Sequence, residues 1–210
     1  MKKNIFILLS LINFILTQVS IESIPRSLLL DNNLVPQEII LPQINLEQLI
    51  EEDRLERKSG ITKPYRFAKT IEVDFNMTNS GTWSILEDGS AIWQLKIRSA
   101  NAYSLNLIYD IFNIPPGAEL FLFSENHETI LGAFTDFNHK PHGGFSTAPI
   151  KGDIVVLEYN EPANSIFNGE ISISSVAHDY KNIFSKNSSR GYGDSGSCNN
   201  NVNCPEGDDW

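Results

Sequence analysis

The feature that most constrains this chain is an alternation of apolar and polar residues with a period of two. It runs from about residue 67 to residue 176 and is broken at short intervals by Gly, Pro and Asn. Successive side chains on an extended strand point to opposite faces, so each alternating segment can bury one face and leave the other wet. The first is Thr70-Ile-Glu-Val-Asp-Phe75. Gly81-Thr-Trp-Ser-Ile-Leu86 and Ala91-Ile-Trp-Gln-Leu-Lys-Ile-Arg98 follow, flanking Glu87-Asp-Gly-Ser90, where Asp88-Gly89 is expected to supply the positive-φ pair of a tight hairpin. Tyr103-Ser-Leu-Asn-Leu-Ile-Tyr109 alternates again, Pro115-Pro-Gly117 turns, and Ala118-Glu-Leu-Phe-Leu-Phe123 returns. Thr129-Ile-Leu-Gly-Ala-Phe134, Ile154-Val-Val-Leu-Glu-Tyr159 and Glu170-Ile-Ser-Ile-Ser-Ser-Val176 bring the expectation to about eight strands. Many short strands without intervening helices predict an all-β fold, an antiparallel β-sandwich over residues 66–180. Trp83, Trp93, Phe121, Phe123, Phe134 and Tyr159 then read as core or rim aromatics before they read as ligand stackers.

Charge excludes one class of partner. The chain holds 16 Lys and Arg against 26 Asp and Glu, a formal net charge of −10. Most of that excess lies in residues 66–180, with 6 basic and 14 acidic groups. So acidic a domain lacks the basic surplus that neutralises phosphates, and neither nucleic acid nor an anionic membrane surface is expected as a partner. With 41% hydrophobic and only 20% charged residues, the chain has the composition of a globular protein and not of a disordered tail.

The N-terminus reads as an export signal over residues 1–20. Lys2 and Lys3 precede a run of 12 residues from Ile5 to Leu16 broken only by Ser10 and Asn13. That is shorter than the ~20 residues a membrane-spanning helix needs. Cleavage is placed near residues 20–23, and no later segment is apolar enough to act as an anchor, so a secreted monomer is expected. Residues 21–65 read as a linker punctuated by Pro25, Pro36, Pro42 and Pro64, with one periodic piece. From Asn45 to Lys58 the spacing predicts an amphipathic helix: Asn45 caps it, Leu46, Leu49 and Ile50 share a face, Arg57 and Lys58 lie late, and Gly60 stops it. Beyond Tyr180 the strand pattern ends. Residues 181–196, with Lys181, Lys186 and Arg190 among Ser, Asn and Gly, read as an exposed, cleavable linker, followed by a cysteine-containing segment at 197–210.

Gly193-Asp194-Ser195-Gly196 reproduces the tetrapeptide around the nucleophile of trypsin-like proteases, and it is rejected as a catalytic site. A serine nucleophile needs a His held by an Asp, and oxyanion donors beside it. His127, His139, His142 and His178 are the four histidines, and none adjoins a cysteine. His178 precedes Ser195 by only 17 residues, and 14 residues follow Gly196, too few for the strands of a specificity pocket. No catalytic residue, cofactor or metal is therefore assigned. His139-Lys-Pro-His142 near Asp136 offers two imidazoles to a metal, but Pro141 and Gly143-Gly144 mark a turn, and a polar loop is the expected role. Asn76-Met-Thr78 and Asn187-Ser-Ser189 are glycosylation sequons.

The string Ser195-Gly-Ser-Cys-Asn-Asn-Asn-Val-Asn-Cys-Pro-Glu-Gly207 resembles the start of the mature domain in secreted bacterial lysyl-endopeptidase-like serine proteases. Upstream, Gly81-Thr-Trp83, Ile92-Trp-Gln-Leu95, Pro116-Gly-Ala-Glu-Leu120, Leu131-Gly-Ala-Phe-Thr135, Leu157-Glu-Tyr-Asn-Glu-Pro162 and Val176-Ala-His-Asp-Tyr180 look like the pro-region that precedes that domain. The resemblance spans residues 66–207. It implies the signal, pro-region and first mature residues of a protease precursor, ending before any residue of the triad, with the protease domain as partner. Lys186 and Arg190 become the candidate processing positions. Cys198 and Cys204 are the chain's two cysteines. By spacing alone they can close a small loop together, whereas the resemblance implies that each pairs within the protease domain. The competing expectation is a secreted, non-catalytic β-sandwich that binds carbohydrate or a cell-surface ligand.

Overall fold

A computed structural model describes residues 20–30, 34–60 and 64–185. In chain order the strands are β1 (Gln37–Ile40), β2 (Ala68–Asn76), β3 (Thr82–Ile85), β4 (Ala91–Arg98), β5 (Ser104–Asn113), β6 (Glu119–Phe123), β7 (Ile130–Phe134), β8 (Phe145–Ser146), β9 (Ile150–Lys151), β10 (Ile154–Glu161) and β11 (Glu170–Asp179). One α-helix, α1 (Leu46–Lys58), lies between β1 and β2. All eight alternating segments of the sequence coincide with strands.

Two open sheets result. The first runs β1-β4-β10-β6-β7, with β3 also paired to β4, and the second runs β2-β11-β5-β8, with β9 also paired to β5. Every pairing is antiparallel except β1 with β4, which run parallel from Gln37 opposite Leu95 to Ile40 opposite Arg98. Alternation explains how the sheets share one core. Trp93, Leu95 and Ile97 of β4, Leu157 and Tyr159 of β10, Leu105 and Leu107 of β5, and Ile173 and Val176 of β11 all belong to a single buried cluster.

The hairpin between β3 and β4 differs from its expected form. Glu87, Asp88 and Gly89 make a three-residue loop: Gly89 N–H donates to Leu86 O at 3.0 Å and Leu86 N–H to Ser90 O at 2.8 Å. Gly89 alone has positive φ, +81°, so the connection is a type I turn closed by one left-handed residue and not a positive-φ pair. Asp88 instead lends its carboxylate to Ser90 N–H, at 3.0 Å.

The segment before residue 66 is more than a linker with a helix. Besides β1, residues 20–30 lie across the outer face of the first sheet. Ile21 exchanges two backbone hydrogen bonds with Ala133, at 3.0 and 2.8 Å, which extends the edge beyond β7. Arg26 Nη1 donates to Ser90 Oγ at 2.5 Å and the same guanidinium pairs with Asp88. The alternate residues of β6, β7 and β10 beneath, Phe121, Phe123, Ala133, Ile154 and Val156, form a second buried cluster. Both faces of β10 are thus covered, which is why its seven residues from Ile154 to Asn160 are all buried.

Candidate functional site

A concentration of interacting charge gathers where α1 meets the end of β11. Asn45 caps the helix through its side chain, which accepts Gln48 N–H at 3.1 Å. Leu49 is buried, but Leu46 and Ile50, expected on the same apolar face, are 41% and 47% exposed. One turn past Leu49, the buried position is an acid, Asp53. Its carboxylate receives Arg66 Nε at 2.9 Å and Nη2 at 2.7 Å, Tyr180 Oη at 2.9 Å, and Lys181 Nζ at 2.5 Å. Helix, β2 approach and the end of the last strand are therefore tied to one side chain.

Electrostatics follow from that geometry. Burial acts to raise the Asp53 carboxyl, but hydrogen bonds from Lys181, Arg66 and Tyr180, with the Lys181 charge, outweigh it and hold Asp53 below the ordinary carboxylate range. Arg66 is correspondingly raised, mainly by its hydrogen bond to Asp53. Burial and then the bond to Asp53 push the Tyr180 phenol up to about 12. Lys181 also lies over the Tyr180 ring, 4.9 Å from its centroid. The adjoining cavity of about 190 Å³ is lined by Asp53, Arg57, Tyr65, Arg66 and Lys181 among others. In this arrangement one carboxylate holds an ammonium, a guanidinium and a phenol hydroxyl of its own chain.

The turn after β11 is organised by the next acid. Asp179 Oδ1 accepts the backbone N–H groups of Lys181 at 2.8 Å and Asn182 at 2.9 Å, while Oδ2 accepts Ile183 N–H at 3.1 Å and Ser104 Oγ–H at 2.9 Å. Three successive amides thereby converge on one carboxylate, so the chain stays tied to the fold beyond Tyr180.

A second buried carboxylate anchors the N-terminal segment. Glu158, fully buried on β10, accepts Ser27 N–H at 3.0 Å, Gln94 Nε2 at 3.0 Å and the Ser27 hydroxyl. All three donors are neutral.

The histidines are scattered, and each of three is occupied locally. His139 Nδ1 donates to Phe112 O of β5 at 2.9 Å, and His142 Nδ1 accepts Gly144 N–H at 3.0 Å within the turn. His178 Nδ1 lies 2.7 Å from Ser99 Oγ, and burial lowers its pKa although Asp179 opposes the shift. It borders a cleft of about 670 Å³ with Asn45, Tyr103 and Tyr180. Among the described residues no group of three or more His, Cys, Asp or Glu could hold a metal, and no helix is long and apolar enough to cross a membrane.

Of the six aromatics singled out in the sequence, Trp93, Phe121, Phe123, Phe134 and Tyr159 are buried. Trp83 is 41% exposed, with its indole N–H on Met77 O at 3.0 Å and its ring edge-on to Tyr159 at 6.1 Å. The sequon residue Asn76 closes an Asx turn, its Oδ1 accepting Thr78 N–H at 3.0 Å. Lys186, Arg190, Ser195, Cys198 and Cys204, with the second sequon, lie outside the described residues.

Sequence reasoning missed Asp53, Arg66, Glu158 and Ser27 as linked groups. The available signal was local: an acid at position 53, four residues after Leu49, on the stripe that should have been apolar. The chain matches no family model and no solved structure.

Proposed function

We propose that residues 66–180, with the preceding segment packed on them, are the pro-region of a secreted serine endopeptidase precursor directed to Lys or Arg, folded as a β-sandwich of two facing sheets. In this reading residues 1–20 direct export, the pro-region assists folding of the protease domain or blocks its cleft, and it is removed by cleavage in residues 181–196. The chain itself contributes no catalytic residue.

The observation that carries the reading is how firmly the chain is anchored just past its last strand. Asp179 and Asp53 fix the chain as far as Ile183, immediately ahead of the stretch that contains Lys186 and Arg190. A pro-region needs a domain that resists proteolysis up to the point at which it is released, and this anchoring supplies that resistance. The resemblance of residues 66–207 to precursors of this kind supports the same division. Five of the six aromatics singled out in the sequence are buried and cannot stack on a sugar, whereas Tyr65, Trp83, Tyr103, Phe137, Phe167 and Phe184 are exposed, so a carbohydrate-binding module stays the competing reading.

N-terminal sequencing of the protease secreted from the full-length gene tests the proposal. The expected mature terminus falls within residues 182–197. A mature protein that retains residues 66–180 would overturn the reading.

A further inference from the structure

We propose that Asp53 guards Lys181 from proteolysis and so keeps the pro-region intact through the end of its last strand. This rests on the reading that the region is excised by cleavage after a basic residue. Lys181 is the first basic residue after the last strand, and by sequence alone it is as good a target as Lys186.

Three contacts hold it. Its ammonium sits 2.5 Å from Asp53 Oδ2, and its side chain is only 20% exposed. Its Nζ caps the Tyr180 ring at 4.9 Å. Its own amide and that of Asn182 are both bound by Asp179 Oδ1, at 2.8 and 2.9 Å. Hydrolysis of the Lys181–Asn182 bond consumes one water, placing OH on the Lys181 carbonyl carbon and H on the Asn182 nitrogen. A lysine-directed protease must first draw several residues around that bond into an extended conformation and take the ammonium into its own acidic pocket. Here one carboxylate already holds the ammonium and another holds the amides, so cutting requires local unfolding of residues 180–183. The guard is thus a competition for one cation between two carboxylates, one in the substrate and one in the enzyme. The helix supplies the first of them, which gives α1 a role that its largely exposed apolar face does not explain.

The test exposes the purified chain, under native conditions, to an added lysine-specific endopeptidase and follows the Lys181–Asn182 bond by mass spectrometry. Amide exchange at residues 91–98 and 154–161 is recorded in parallel to report on the sheets. Asp53→Asn is expected to accelerate cleavage at Lys181 at least about tenfold with those amides still protected, and Asp53→Glu is expected to restore much of the resistance. Should Asp53→Asn lose amide protection, Asp53→Glu decides: resistance greater than that of the unfolded chain supports the guard, and resistance no greater overturns it. Wild-type cleavage at Lys181 as fast as in a folded Asp53→Asn chain also overturns it. The added protease makes this result independent of natural maturation. A mature N-terminus at Asn182 would refute the guard while leaving the pro-region reading intact.

Discussion

Asp53 and His178 place two carefully balanced ionisations at the same end of the molecule, and they respond to acid in different windows. For Asp53 the folded pKa is depressed, so its contribution is present above the unfolded value near 3.8 and fades as pH falls below it. For His178 the folded pKa is also depressed, below 6.5, but the favoured folded form is neutral. The unfolded chain then binds more protons, and stability falls as pH drops from about 6.5 toward the folded value. Thermal midpoints measured against pH should therefore decline first below about 6.5, and His178→Gln should flatten that first decline while leaving the acid limb. An unchanged profile in the variant would show that His178 does not carry it. Gly81 makes a steric prediction of the same grain. It has φ of +83°, and a Cβ there would meet Trp93 Nε1 at 2.3 Å and Gln94 O at 2.8 Å. Gly81→Ala should cost at least ~2 kcal/mol in urea unfolding, by strain and by displacing the buried indole from its hydrogen bond to Ser80 O.

Among the elements, those readable in the sequence were the ones whose partners impose an ordinary alternation. α1 also matched its expected bounds, because cap and stop residues act over three or four positions. β1 was illegible for a physical reason. Gln37-Glu-Ile-Ile40 has no alternation and lies between Pro36 and Pro42, and its register comes from pairing parallel to β4, far along the chain. The two-residue strands β8 and β9 are too short to carry a period at all. The Asp53 cluster was hidden similarly, since Asp53 and Tyr180 lie 127 positions apart and no local pattern links them. The N-terminal segment offers a test at this scale. Ser27→Ala removes a hydroxyl donor from fully buried Glu158, and losing a partner of a buried polar group costs ~1–3 kcal/mol. Amide exchange should rise over residues 20–30 while the β4 and β10 amides remain slow; uniform loss of protection would instead mean that the segment and sheet are one cooperative unit.

Across the whole molecule, the alternating region is not a sufficient unit. Without residues 20–65 the first sheet loses β1 from the edge of β4 and the cover over Phe121, Phe123 and Val156, and the second sheet loses the Asp53 anchor at the end of β11. A chain of residues 66–185 should accordingly unfold at lower urea than one of 20–185 and associate more readily through its uncovered sheet. Equilibrium denaturation with light scattering compares the two directly, and equal midpoints would show the preceding segment to be dispensable. The acidic excess of residues 66–180 works against that association, so the difference should grow as salt screens it.

The bond between Ser27 and Glu158 spans 131 positions of chain. During synthesis the serine exists long before the strand that will receive it, and without Ser27 the buried Glu158 keeps only the Gln94 amide of its three donors. A segment displaced from its seat leaves Phe121, Phe123 and Val156 of the sheet face beneath it open to whatever else is nearby.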